Sequence, residues 1–322
     1  MNGPAPGADR PVPLARALAA GPLVLDGGLS NQLEAAGHDL SGALWSARLL
    51  RDRPQALVDA HLAYLRAGAD VVTTAGYQAT FEGFAAQGVG RAEAEELLRR
   101  SVELVRRAVA LARAEGMRRP VWTAASAGPY GAMLADGSEY RGRYGTGVRA
   151  LERFHRPRLE ALAGAGPDVL ALETVPDADE GRALVRAVRG LGVPAWLSYS
   201  VRGDRTCAGQ PLEEAFAVAA DAEEIVAVGV NCCAPEDVGP AARTALRVTG
   251  KPVVVYPNSG ERWDERARVW RGGATFTTDR VSGWTRAGAR LVGGCCRVGP
   301  RTVAELALLL GRDPEPGPPG RP

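Results

Sequence analysis

A chain of 322 residues that is 46% hydrophobic and 24% charged has the profile of a soluble globular protein. Its formal net charge of +2 is spread along the chain without a block of like charges, which argues against nucleic acid or an anionic membrane as partner. No stretch reaches the roughly 18 apolar residues needed to span a bilayer, and the proline-rich N-terminus lacks the continuous apolar run of a secretory leader, so a cytoplasmic location is expected. Lys251 is the only lysine; the arginines alternate with Glu and Asp on helical faces, as on a solvated surface.

In chain order, short apolar runs alternate with amphipathic segments. Leu23–Asp26 is followed by a helical pattern over Pro54–Ala67, Asp70–Thr74 by Arg91–Glu115, and Val121–Ala125 by Gly147–Ala163. Asp168–Glu173 precedes Asp179–Leu191, Ala195–Tyr199 precedes Leu212–Ala222, and Ile225–Asn231 precedes Pro235–Val248. Pro252–Pro257 and Ala289–Gly293 close the series, with helices over Thr278–Ala287 and Pro300–Leu310. The runs are continuously apolar rather than alternating, as in parallel strands buried on both faces. Eight strand-then-helix units without a composition break predict a single (β/α)8 TIM barrel over residues 21–311. An open doubly wound sheet is the other arrangement, but no G-x-G-x-x-G follows the first strand.

Residues 1–20 read as a poorly ordered lead-in, and 312–322, with five prolines and two glycines, as a disordered tail. Two long loops, Ser126–Thr146 after the third strand and Asn258–Asp279 after the seventh, are expected on the active face of the barrel.

Five cysteines, an odd number in a reducing compartment, argue against a disulfide framework. Four of them form adjacent pairs, Cys232-Cys233 and Cys295-Cys296. Cys232 follows the sixth strand and Cys295-Cys296 the eighth, so residues about sixty apart converge at the barrel mouth. Both members of the second pair can face one ion only where the strand has ended, and Gly293-Gly294 suits such a turn. Three thiolates with a vacant fourth position describe a catalytic Zn2+ site at Cys232, Cys295 and Cys296, where an incoming thiol binds as thiolate. Cys233 points away and is expected to pack in the core; Cys207 has no assigned role. His38, His61 and His155 lack metal-ligand spacing and are expected to be solvated or capped.

The chain resembles the homocysteine S-methyltransferase family, in particular its S-methylmethionine-dependent branch. The segments that carry the resemblance include Leu25-Asp26-Gly27-Gly28, Tyr77-Gln78-Ala79-Thr80, Gly128-Pro129-Tyr130-Gly131 and Asp136-Gly137-Ser138-Glu139-Tyr140-Arg141-Gly142. Others are Phe154-His155-Arg156-Pro157-Arg158, Glu173-Thr174, Gly229-Val230-Asn231-Cys232, Tyr256-Pro257-Asn258-Ser259-Gly260-Glu261 and Gly293-Gly294-Cys295-Cys296-Arg297. Ser30-Asn31-Gln32 and Gly76 depart from common family patterns and leave the three cysteines intact. The resemblance implies a TIM barrel, zinc on Cys232, Cys295 and Cys296, homocysteine as methyl acceptor and methionine as product. It implies Asp26 and Glu173 as partners of the homocysteine ammonium.

Thr74 and the Gly27 amide are candidate donors to the homocysteine carboxylate, and Asn258 is a further substrate-binding candidate at a strand end. The methyl donor is expected to be a sulfonium, S-methylmethionine or S-adenosylmethionine, faced by Tyr130, Tyr140, Trp263 or Trp270 through cation–π attraction. A monomer is expected. A barrel oxidoreductase built on a vicinal-cysteine redox centre is the competing class, but C-x-x-C spacing and a nucleotide fingerprint are lacking.

Overall fold

The structure, a computed structural model, describes residues 11–40, 44–264 and 269–312. Eight parallel strands form one sheet: β1 (Leu23–Val24), β2 (Val71–Thr73), β3 (Trp122–Ala127), β4 (Val169–Val175), β5 (Ala195–Tyr199), β6 (Ile225–Asn231), β7 (Val253–Tyr256) and β8 (Ala289–Val292). Each pairs with its sequence neighbour from β2 through to β8, and β8 pairs with β1. The remaining seam, β1 to β2, is closed by the bridge between Leu25 and Val71, with Asp26 N–H donating to Val71 O at 3.1 Å and Asp70 N–H to Val24 O at 2.8 Å. The sheet is thus a closed (β/α)8 barrel with helices between its strands, as the pattern of buried runs predicts.

Alternation along the strands sends one set of side chains inward. Leu25, Val71, Trp122, Ala124, Val169, Ala171, Trp196, Val254, Tyr256 and Leu291 fill the lumen, and the other set packs under the helices. The lumen is therefore solid, and chemistry is confined to the loops at the strand C-termini.

The lead-in expectation is corrected over Leu14–Ala20, which is a helix. Leu14 and Leu18, four apart and fully buried, join the lumen cluster, and Trp122 Nε1 donates to Val12 O at 2.8 Å. Burying two leucines contributes on the order of 2 kcal/mol each, enough to tie this segment across the floor of the barrel. Residues 1–10 and 313–322 lie outside the described residues. The long loops are also more structured than expected. The first holds a helix over Tyr130–Leu134 and a 3-10 turn over Ser138–Tyr140; the second holds an antiparallel hairpin of Arg262–Asp264 with Val269–Arg271. No helix among the described residues is long and apolar enough to cross a membrane.

Candidate metal centre and substrate site

The cysteine-bearing loops are spaced by the end of β7. Cys232 N–H donates to Tyr256 O at 3.2 Å, Cys295 N–H to Pro257 O at 2.7 Å, and Ser259 N–H to Cys296 O at 2.9 Å. Asn258 adds a side-chain tie, its Oδ1 accepting from Cys296 N–H at 3.1 Å. One strand end thus sets the separation of the loops after β6 and β8.

Local backbone then turns the thiols inward. Cys232 sits at φ +51°, in the left-handed region that L residues seldom occupy, so it breaks strand alternation and diverges from Cys233. Cys233 is buried in the outer core, as expected. Gly293 and Gly294 do not take positive φ; the end of β1 lies against Gly293, and Val298 of the same loop lies against Gly294. A Cβ on Gly293 would stand 2.6 Å from Asp26 O, and one on Gly294 2.1 Å from Val298 Cγ1. Arg297, at φ +62°, is the residue that takes the left-handed turn.

The result is a triangle of sulfurs. Cys232 and Cys296 Sγ are 3.7 Å apart, Cys295 and Cys296 Sγ 4.0 Å, and all three lie within 4.8 Å of one another. Tetrahedral coordination at a Zn–S distance of about 2.3 Å requires sulfurs about 3.8 Å apart, so the three cysteines fit a zinc-sized thiophilic ion. Cys232 is drawn well below the usual thiol range because Cys295 and Cys296 donate to its sulfur, and those two are in turn held well above it. A second negative charge is unfavourable in this triangle without a cation. The Tyr140 hydroxyl stands 3.6 Å from Cys232 Sγ.

Two carboxylates share this mouth. Asp26 is 2% exposed and accepts from Thr73 N–H at 2.8 Å and from Thr73 Oγ1 at 2.9 Å. Burial nonetheless holds it well above the usual carboxylate range. Glu173 accepts from Ser126 Oγ, and burial pushes its carboxyl up to about 7. Thr74 Oγ1 accepts from Ser126 N–H at 3.1 Å, which leaves its own hydroxyl hydrogen for another acceptor. Gly27 meets a packing demand, since a Cβ there would lie 2.2 Å from Val298 O and 2.8 Å from the Tyr64 ring.

The histidine expectation is corrected for two residues. His61 is fully buried, has no hydrogen-bond partner among the described residues, and is pushed down to about 4 by burial. His155 is buried between Glu180, at 2.9 Å, and Arg158, at 2.7 Å. Tyr130 packs on Tyr144 and Phe154, with ring centroids 5.2 and 4.8 Å away, and so serves the loop's own packing. The side chains of Trp263 and Trp270 lie outside the described residues.

Asn231 is a buried link between the two halves of the site that the sequence did not single out. Fully buried at the end of β6, it takes hydrogen bonds from Ser198 Oγ at 2.7 Å and Thr174 N–H at 2.8 Å, and gives one to Thr174 Oγ1 at 2.7 Å. Its position just before Cys232 was the available signal.

The family model described as homocysteine S-methyltransferase matches residues 23–310. The chain belongs to the homocysteine S-methyltransferase family. Homocysteine S-methyltransferase 4 from Zea mays is 46% identical over 308 residues, 91% of this chain and 90% of that protein. The homocysteine S-methyltransferase of Escherichia coli K12 is 43% identical over 290 residues, 88% and 94% of the two chains. Among solved structures, the metallated form of the Escherichia coli homocysteine methyltransferase MmuM matches with a TM-score of 0.83 at 42% identity, covering 91% of this chain and 99% of that one. As a member of this family the chain is a methyltransferase, and its three-cysteine group can hold a metal.

Proposed function

We propose that the protein transfers a methyl group from a sulfonium donor, S-methylmethionine before S-adenosylmethionine, to homocysteine, giving methionine, with Zn2+ held by Cys232, Cys295 and Cys296. The single observation that carries this reading is the sulfur triangle set 3.7–4.0 Å apart along two of its edges at the barrel mouth, beside two buried carboxylates. Zinc bound there supplies a positive centre that favours the ionised form of a thiol at neutral pH, where a free thiol of pKa about 8.5 is only a few per cent ionised.

The chain's own groups orient the acceptor. Asp26 and Glu173 receive its ammonium, and their raised affinity for protons expresses an unmet demand for a cation. Thr74 and the Gly27 N–H face its carboxylate. Asn258 acts through Cys296, whose N–H it accepts, and so positions the cysteine loop. The thiolate sulfur of homocysteine attacks the methyl carbon in line, the methyl–sulfonium bond breaks, and its electron pair stays on the departing thioether. No base is needed once the thiol is ionised; alignment supplies much of the acceleration. The vicinal-cysteine oxidoreductase reading has no observation in its favour.

The test is metal analysis with a donor panel. About one zinc per chain, lost in Cys295→Ser, and methionine formed from S-methylmethionine are expected. Absence of methionine from any sulfonium with zinc-loaded enzyme overturns the reading.

A further inference from the structure

Glu139 is a buried carboxyl that the acceptor site does not use. It lies on the Ser138–Tyr140 turn and is 3% exposed, and its Oε2 has no hydrogen-bond partner among the described residues. The turn packs against β4, the strand that carries Glu173, and Tyr140 beside it reaches Cys232. The charged groups that Glu139 feels are Asp136, Cys232 and, weakly, the exposed Arg141, which lies 3.9 Å from Asp136.

The loop cannot relieve Glu139 by swinging into water, because both its arms are pinned. Glu180, fully buried, accepts from Tyr130 N–H at 2.5 Å and Tyr144 OH at 3.0 Å and is backed by His155. Asp177 accepts from Arg143 N–H at 3.1 Å, and Arg143 Nε donates to Ala208 O at 2.8 Å. At the inner end, a Cβ on Gly131 would lie 2.4 Å from Glu139 N, so helix and turn are in tight contact.

A carboxylate buried without a partner is costly unless a cation meets it. Among the described residues no cation is in ion-pair contact with Glu139, so the position is open to a cationic ligand. In the reading above, the homocysteine ammonium is taken by Asp26 and Glu173, which leaves the methyl donor. An aminoacyl sulfonium carries two positive charges, and they differ in fate. The sulfonium loses its charge as the methyl leaves, so a carboxylate gripping it would stabilise the ground state more than the transition state. The ammonium keeps its charge throughout, and holding it improves binding without raising the barrier.

We propose that Glu139 is the docking group for the α-ammonium of an aminoacyl sulfonium donor, and so selects amino-acid sulfoniums over sulfoniums without an amino group. This rests on the sulfonium-donor reading of the site.

The experiment compares S-methylmethionine with dimethylsulfoniopropionate, which has a sulfonium and a carboxylate but no amino group, on the zinc-loaded wild type and Glu139→Gln. Wild type is expected to favour S-methylmethionine in kcat/KM. E139Q is expected to raise KM for S-methylmethionine about 30-fold or more with little change in kcat. Dimethylsulfoniopropionate kinetics, homocysteine KM and zinc content should stay unchanged, and Glu139→Asp should recover part of the loss. Equal loss on both donors, a rise in homocysteine KM, or no change in E139Q overturns the proposal. So does a wild type that uses both donors equally well, a result that needs no variant to fold. Failure of the wild type with every sulfonium would instead sink the donor reading itself.

Discussion

Asn231 and Thr174, 57 residues apart, are joined by two hydrogen bonds that hold Thr174 at φ +58°. For a β-branched residue that conformation is strained. The clamp lies between the two halves of the site, with Glu173 on one side and Cys232 on the other, so the carboxylate and the metal loop are held in one register. Asn231→Ala is expected to destabilise the protein by about 2–4 kcal/mol, through lost buried hydrogen bonds and unsatisfied partners. It should also raise homocysteine KM more than it lowers zinc content. Urea denaturation, metal analysis and steady-state kinetics check the three effects.

The two adjacent cysteine pairs make a sharper prediction than their sequence symmetry suggests. Cys233 belongs to the outer core and Cys232 to the sulfur triangle. Cys233→Ala should keep full zinc content and cost about 1 kcal/mol by leaving a small void. Cys232→Ala should lose the metal and all turnover. Equal zinc loss in both variants would show that the pair acts as a unit.

Protonation gives a signed pH dependence. Burial raises the folded-state value of Glu173 from 4.5 to about 7. Its contribution to stability is therefore fully present below about 4.5 and is lost as pH rises through about 7. Metal-free, substrate-free protein should lose on the order of 3 kcal/mol across that window, and Glu173→Gln should flatten the loss. Binding has the opposite sign. The ammonium needs the ionised carboxylate, so homocysteine KM should rise as pH falls below about 7 in the wild type. Urea midpoints and KM as functions of pH test both signs.

Close backbone approach predicts an effect without chemistry. A methyl on Gly28 would stand 2.5 Å from Cys295 O and 2.6 Å from Asn31 Oδ1. The first contact is with backbone and cannot rotate away. Gly28→Ala should displace the Cys295 loop, weaken zinc affinity and cost about 1–3 kcal/mol. Competition with a zinc chelator, measured beside thermal unfolding, reads both.

The barrel was legible because its strands are buried on both faces, and that condition writes itself into the chain as unbroken apolar runs. The metal group was legible because paired cysteines are scarce and stand at strand ends. The floor helix Leu14–Ala20 was not, since the prolines just before it, Pro11 and Pro13, mask a pattern only seven residues long. Asp26 illustrates a subtler limit: Thr73, rather than the neighbouring Thr74, supplies its hydrogen bonds, and that choice depends on the β1–β2 seam. His155, Arg158 and Glu180 looked like surface charges because they sit on amphipathic helices, yet they meet in the interior to anchor a loop. Glu139 escaped notice for the complementary reason, that a missing partner leaves no trace in a sequence.

The central claim is methyl transfer to homocysteine at the three-cysteine centre. Both products from S-methylmethionine are methionine, so the decisive measurement uses 13C-labelled homocysteine with unlabelled donor and reads methionine by mass spectrometry. Zinc-loaded wild type should convert the labelled homocysteine into labelled methionine, and Cys296→Ser should form none. Labelled methionine made at the wild-type rate by Cys296→Ser or by zinc-free enzyme, or none made by the loaded wild type, would contradict the account.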